Sequence, residues 1–549
     1  MLWEDVFFII FELLAAIGLF LLASYAEKNI SPKWRLCYAV PAVVCLIVIA
    51  VFGFEVSMLG AYLGAVLLLG GFVKEEAKIR KMVSGVSGLL ALLSLVVCMG
   101  NKGYRAPDYV GEFNKVFQEM KAHYVLAEQK ELDWDSLYEK YLPQFKEADK
   151  NHDELANYLA WCAFTSEFCD GHVAYSPKDW AAIDEALSGV CGNDYGLSLM
   201  RLSNGTVVAV NVEPGSAIAK AGIHNGTVIT EWDKKGMEEA VKETKEQGIT
   251  LTSYACKENE DFYSALPVAG RGNDSVSISF LDENGKEQSV VANKVGAYKT
   301  RWEDSLNVIN QGREISNLEW EKIDETTALM RMRFMGFDAQ ENFDQMEEEI
   351  RNQLLSFKEQ GVCNLIFDLR SNGGGSGSYV KHILKLIAPE GQQVYAYDGV
   401  FDSETMTYKK DFAKGTYELG KCETYQGENL WGHGKIVVLV NAGTASAGDH
   451  FTRLASEFPN VTIMGFTHSN CSAQGIHAVK LKSGMVSYSA VLLLNEDGTV
   501  FIDTDSSRKA TVPLDVQIPF NEEAVKILFD QGEDYVLQYA MNYLNNRQE

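Results

Sequence analysis

Four apolar runs fill the first hundred of the chain's 549 residues, at about 6–25, 36–54, 56–73 and 82–99. Each is close to the roughly 20 residues that a helix needs to cross about 30 Å of hydrocarbon. A single cleaved leader would not be followed by three more such runs. Lys28, Lys33 and Arg35 lie between the first two runs, and Lys74, Lys78, Arg80 and Lys81 between the last two. Basic loops of this kind face the cytoplasm. The pattern therefore predicts a four-helix transmembrane anchor over 1–100, a multi-pass cell-membrane location and both termini outside the cytoplasm. Glu12, inside the first run, is read as a carboxylate that snorkels or faces the bundle.

Acidic and basic side chains balance over residues 1–100, seven of each, so the whole net charge of −26 falls on 101–549. Such a body repels phosphate backbones, which excludes nucleic acid as a partner. The ten cysteines show no CxxC or zinc spacing, so no metal site is expected. Two pairings are open for a single disulfide, Cys162–Cys169 and Cys169–Cys191. The length predicts several units.

Three parts follow the anchor. Residues 101–187 read as a helical lead-in, with Phe113, Val116, Phe117 and Met120 at three- and four-residue spacing. Asp133 is placed to cap a second helix, and a third, over 153–168, runs into Cys169-Asp170-Gly171-His172. Residues 188–297 change to short strands broken by Gly and Asn, with Asn204-Gly205 a hairpin turn. From 298 to 549, strands at 328–335, 363–369 and 435–441 alternate with helices at 340–360, 378–387 and 446–458. That alternation predicts an α/β layer fold.

Two segments concentrate the chemistry: Phe367-Asp368-Leu369-Arg370-Ser371-Asn372-Gly373-Gly374-Gly375 and Val440-Asn441-Ala442-Gly443-Thr444-Ala445-Ser446-Ala447-Gly448-Asp449. Each is a strand running into a small-residue turn and then a helix. Such a turn holds a Ser hydroxyl at a helix N-terminus, where free N–H groups face a developing oxyanion. Asp368 and Arg370 are expected to form a structural ion pair beside the glycines.

Together these segments resemble the S41 family of serine peptidases, which includes C-terminal processing and tricorn-like members. The pattern D-L-R-x-N-x-G-G matches Asp368, Leu369, Arg370, Asn372, Gly374 and Gly375; G-T-x-S-x-x-E matches Gly443, Thr444 and Ser446, with Asp449 for Glu. The resemblance implies a ClpP/crotonase-like α/β core, Ser446 as nucleophile, and an oxyanion hole from Ala447 with Gly373 or Gly374. Residues 188–297 resemble a PDZ domain, with Tyr195, Gly196, Leu197 and Ser198 in the place that binds a peptide carboxylate.

The general base separates two branches of the resemblance. Processing peptidases pair the Ser with a Lys about 25 residues downstream. Here the stretch reads Gly465-Phe466-Thr467-His468-Ser469-Asn470-Cys471, with Cys471 nearest the Lys position. Tricorn-like members use a His from the lead-in, and Phe168-Cys169-Asp170-Gly171-His172 fits that motif. An ordinary imidazole is suited to take a Ser proton at neutral pH. His172 is therefore the expected base, with His450 and His468 as substitutes and Asp503, then Asp505, as the orienting acid.

The sequence thus predicts a multidomain, membrane-anchored serine peptidase with an extracytoplasmic catalytic domain, no cofactor, and protein or peptide substrates. The rival readings are an inactive peptide-binding protein of the same fold and a hydrolase of non-peptide esters. Oligomeric state is not encoded in any motif.

Overall fold

The computed structural model describes residues 107–549 apart from 247–253, 312–316, 337–341 and 547–549. Tyr109–Glu549 form one compact unit. Its lead-in begins with α1 (Tyr109–His123), which buries Phe113, Val116, Phe117 and Met120, the stripe their spacing dictates. Asp133 caps α2 (Trp134–Asn151) by accepting the N–H groups of Asp135 and Ser136, donors that a helix start leaves unsatisfied. Asp153 does the same for α3 (Glu154–Ser166). Aromatic rings fill the space between these helices: Phe113 stacks on Phe145, and Trp161 on Tyr175. Tyr175 lies in β1 (Ala174–Pro177), which pairs antiparallel with residues 484–491, Ala174 opposite Ser487. A strand of the lead-in is thus sewn into a sheet from the far end of the chain.

In the middle part, β2 (Ser198–Arg201) and β3 (Val207–Val210) form a hairpin around Asn204-Gly205, with Gly205 at φ +89°. A bridge from Val208 to Val228 leads into the sheet of β4 (Ile229–Trp232), β5 (Ser275–Leu281) and β6 (Glu287–Asn293). The helices α4 (Met237–Glu246) and α5 (Lys257–Tyr263) lie between β4 and β5 in sequence, and α6 (Tyr298–Asn310) follows β6.

The core strands are β7 (Leu318–Lys322), β8 (Thr327–Met332), β9 (Asn364–Asp368), β10 (Lys435–Leu439) and β11 (Val461–Gly465). After the hairpin of β12 (Gly475–Lys480) and β13 (Gly484–Val491), β14 (Val516–Gln517) completes a six-stranded sheet in the order β7-β8-β9-β10-β11-β14. Only β7 runs antiparallel to its neighbour. Met330, Phe367, Val438 and Ile463 stand in register across four strands and pack with α7 (Phe343–Glu359), α8 (Gly377–Ile387) and α9 (Ala447–Ala455). Leu329, Ile366 and Val437 point to the other face, against a core that holds Tyr195 and Trp232 of the middle part and Tyr535 and Val536 of α10 (Tyr535–Asn546). A parallel sheet covered on both faces carries continuous apolar strands, as here. Its ligand sites lie beyond the carboxyl ends of its strands. The turns after β9 and β10 are therefore the place to look.

The fold class and location predicted from the sequence are corrected here. No helix among the described residues is long and apolar enough to cross a membrane. The four-helix transmembrane region, the membrane-integral partner and the multi-pass location with an extracytoplasmic catalytic domain are therefore withdrawn. The four apolar runs and Glu12 lie outside the described residues. A run near 20 apolar residues meets the length condition for spanning, and length alone does not make a span. The described cysteines are all free, so neither pairing of Cys169 is formed. Cys191 belongs to the core of the middle part, whereas Cys162 packs on the lead-in core.

Candidate active site

The glycine turn is held from three sides. Arg370 grips Asp368 at 2.8 and 2.6 Å and Asp534 at 2.9 and 2.7 Å, two bidentate pairs that tie the residue before α10 to the end of β9. Asn372 donates to the Met332 carbonyl at 2.9 Å and accepts the Gly374 N–H at 2.9 Å. The Gly374 carbonyl accepts the Met335 N–H at 2.7 Å. Gly374 sits at φ +93°, and a Cβ there would lie 2.6 Å from both Ser446 Cβ and the Ala445 carbonyl oxygen. Only glycine lets these two turns touch.

The serine turn is tied to the glycine turn bond by bond. Asn441 Oδ1 accepts the N–H groups of Ser371 and Gly443 at 2.8 and 3.0 Å. Thr444 donates its hydroxyl to the Leu369 carbonyl at 2.7 Å, and the Ala445 N–H donates to the Asn372 carbonyl at 2.9 Å. Ser446 then adopts φ +56°, ψ −118°, a sparsely populated conformation that the surrounding bonds must impose. It is half-buried, and Ala447 opens α9 directly after it. Asp449, fully buried, accepts the N–H groups of Ser446 and Ser472 on Oδ2 at 3.0 and 3.1 Å, and that of Cys471 on Oδ1 at 3.0 Å. Burial pushes its carboxyl up, and the backbone donors oppose that. Asp for Glu thus still joins the helix start to the turn at 471–472. Of the expected oxyanion donors, Gly374 has its N–H committed to Asn372. Gly373 is exposed and has open space at its Cβ position.

The lead-in brings His172 to the same place. Asp170, fully buried, accepts the His172 N–H at 2.9 Å on one oxygen and the hydroxyls of Tyr124 and Ser489 on the other, at 3.1 and 2.8 Å. The Gly171 N–H donates to Ser472 Oγ at 2.7 Å, while the Ser472 carbonyl accepts the Ser446 N–H at 3.0 Å. A Cβ at Gly171 would strike Asn470 Oδ1 at 1.9 Å, which explains the glycine before the histidine. Burial holds the His172 imidazole below its ordinary range, with Asp170 opposing. Its Nδ1 is buried with no hydrogen-bond partner.

Asp503 arrives from the other side. Its Oδ2 accepts the Ala473 N–H at 2.9 Å and Gln474 Nε2 at 3.0 Å, while Oδ1 is buried and unpartnered. Burial pushes this carboxyl up, Asp170 adds to the rise, and Lys130 opposes it. Lys130 donates to the Cys169 carbonyl at 2.8 Å and to Thr504 Oγ1 at 2.6 Å, which brings the two acid-bearing loops together. Residues 472–474 thus touch the loops of Ser446, His172 and Asp503 at once. Among the described residues no hydrogen bond joins the His172 ring to Ser446 or Asp503. Catalytic hydrogen bonds often tighten only when substrate is bound.

The substitutes are occupied elsewhere. Asp505 is exposed and caps a turn through the Ser507 N–H and hydroxyl. His450 donates Nε2–H to the Ala473 carbonyl at 2.9 Å and lies between the rings of Tyr395 and Phe501. Burial pulls it down to about 4, so it is neutral at physiological pH. His468 donates Nδ1–H to the Val512 carbonyl at 3.1 Å.

Tyr195, Gly196, Leu197 and Ser198 are all buried. The Gly196 N–H is taken by Asp194 at 2.8 Å, and Ser198 Oγ accepts the hydroxyls of Tyr298 and Ser305 from α6 at 3.1 and 2.8 Å. Strand β2 packs against α5 and residues Leu266–Gly270.

Residues 328–506 match the model of peptidase family S41, and residues 106–160 match that of the Tricorn protease C1 domain. The chain carries an S41 serine peptidase domain. The S41 segment includes Ser446, the glycine turn and Asp503, whereas His172 lies just beyond the C1 segment. Mature CPAF is similar in fold, both alone and complexed with lactacystin. The TM-score is 0.51 for each, at 14% and 13% identity, over 80% of this chain and 98% and 99% of those chains. No significant match is found among curated proteins. Lys130, Ser472 and Gln474 carry no motif of their own; what marks all three is burial of a polar side chain, which the sequence does not make legible.

Proposed function

We propose that the S41 domain is an endopeptidase acting on protein or peptide substrates through Ser446, His172 and Asp503. Ser446 Oγ attacks the scissile carbonyl while His172 takes its proton. The N–H groups of Ala447 and Gly373 receive the oxyanion, and the start of α9 adds its dipole. His172 passes the proton to the leaving amine, and water hydrolyses the acyl-enzyme by the reverse transfers. Asp503 orients the imidazole. The reading is carried by one observation: residues 472–474 bind the Ser446 N–H, the Gly171 N–H and the Asp503 carboxylate together. Tail capture at Tyr195–Ser198 is left out, because α6 and the segment around α5 enclose that loop and β2.

A mixture of unstructured peptides incubated with the purified full chain, read by mass spectrometry, tests the proposal. Internal cleavages that vanish with Ser446→Ala support it. Ester turnover by the wild type without any peptide cleavage contradicts it.

A further inference from the structure

Lys130, in the turn that follows α1, is a charged side chain only 8% exposed. Its Nζ donates to the Cys169 carbonyl at 2.8 Å and to Thr504 Oγ1 at 2.6 Å. Both partners are neutral, and each stands beside a buried acid: Cys169 precedes Asp170, and Thr504 follows Asp503. Neighbours of Lys130 hold the same two loops. Gln129 donates Nε2–H to the Asp503 carbonyl at 2.9 Å, and its own carbonyl accepts the Ser506 N–H at 3.0 Å. Tyr124 donates its hydroxyl to Asp170 Oδ2 at 3.1 Å. The Thr504 hydroxyl in turn donates to the Ala255 carbonyl at 3.2 Å. An ammonium held by neutral partners is costly to bury unless carboxylates nearby offset its charge. Arg508, the next cation along the acid-bearing loop, is already paired with Glu260 at 2.6 Å.

We propose that Lys130 is a positioning residue of the peptidase, the buried counter-charge that joins the His172 loop to the Asp503 loop; this rests on the roles proposed above for Ser446, His172 and Asp503. When His172 takes the Ser446 proton it becomes a cation. An ionised Asp503 stabilises that cation, and a protonated Asp503 does not. Burial and Asp170 favour the protonated form of Asp503, and Lys130 opposes them. The other titratable groups of these loops leave that task to Lys130. Burial pushes the Tyr124 hydroxyl and the Cys169 thiol up, so both are neutral near pH 7. Asp505 is exposed, with one oxygen on the Ser507 N–H and hydroxyl. Lys130 thus does two things at once. Its hydrogen bonds fix the distance between the loops, and its charge sets the pH at which Asp503 serves as a carboxylate.

The test measures the rate at which a fluorophosphonate labels Ser446 in the full chain from pH 5 to pH 10, beside Lys130→Met and Lys130→Arg. Lys130→Gln replaces the Met variant if that one does not fold. Removing the charge is expected to move the higher-pH step, where Asp503 ionises, upward by about one pH unit, with labelling below the step slowed about tenfold. Lys130→Arg keeps the charge and is expected to hold the step near its wild-type pH. A rate lowered equally at every pH, with the step unmoved, makes Lys130 a structural tie only and overturns the proposal. An unchanged profile, or a step that moves downward, overturns it too. Absence of labelling in the wild type at any pH is a failure of the serine-peptidase reading. Thermal melts of the same proteins then still decide the Lys130–Asp503 link. A raised Asp503 loses stability as pH rises up to its folded-state value, so without Lys130 the decline is expected to continue to higher pH. A decline that ends at the wild-type pH overturns the link.

Discussion

The Ser472 carbonyl accepts the Ser446 N–H at 3.0 Å, and the Ser472 hydroxyl accepts the Gly171 N–H at 2.7 Å. One buried residue thereby sets the proposed nucleophile against the loop of the proposed base. Ser472→Ala keeps the first bond and deletes the second. Leaving the Gly171 N–H unsatisfied is expected to cost about 1–3 kcal/mol of stability. The labelling rate of Ser446 is expected to fall about tenfold or more as the His172 loop loosens. Urea unfolding and labelling kinetics on the same preparation check both numbers.

Gly374 and Gly373 are neighbours with opposite tolerance. A Cβ at Gly374 meets Ser446 Cβ at 2.6 Å from a left-handed backbone, whereas one at Gly373 meets nothing within 4 Å. Gly374→Ala is expected to lower kcat/KM by at least a hundredfold, since the two turns must part by about an ångström. Gly373→Ala is expected to leave the melting temperature unchanged. Equal thermal destabilisation by both substitutions would contradict the assignment of contacts.

The pH dependence follows from His172 and Asp503. Burial lowers His172, so the step in kcat/KM that reports loss of its proton is expected below pH 6.5, its ordinary value, and a second step at higher pH is expected where Asp503 becomes a carboxylate. Asp503 is raised by burial and by Asp170, so the fold favours its protonated form. Its contribution to stability is complete below its ordinary value of 3.8 and is lost as pH rises through the raised value. Asp503→Asn is thus expected to reduce activity yet flatten the decline of stability toward alkaline pH. Thermal melts of both proteins from pH 5 to pH 9 measure the difference.

Asp534 closes the second side of the Arg370 guanidinium. Asp534→Ala leaves half of a buried cation unpaired, for which about 3–5 kcal/mol of destabilisation is expected. Denaturant titration checks it. Asp534→Glu is expected to recover part of the loss.

Contiguous signals were legible in the sequence and long-range ones were not. The stripe of α1, the cap Asp133 and the two turns after β9 and β10 each lie within a dozen residues, so period and turn chemistry reveal them. The Asp368–Arg370 pair was legible for the same reason, but its third member is 164 positions away. Lys130 meets Thr504 across 374 positions, and Gly171 meets Ser472 across 301. No local spacing encodes such meetings. The loop at Tyr195–Ser198 follows a recognisable order, but its enclosure depends on the packing of α5 and α6, which a motif does not contain. The apolar runs over 1–100 lie outside the described residues, among which no helix is long and apolar enough to cross a membrane.

The most direct measurement is fluorophosphonate labelling of the full chain, with the modified peptide sequenced, beside Ser446→Ala and His172→Ala. The account predicts a single adduct on Ser446 that both substitutions abolish while the folded state is retained. An adduct on another residue, or full labelling of the His172→Ala protein, would contradict it.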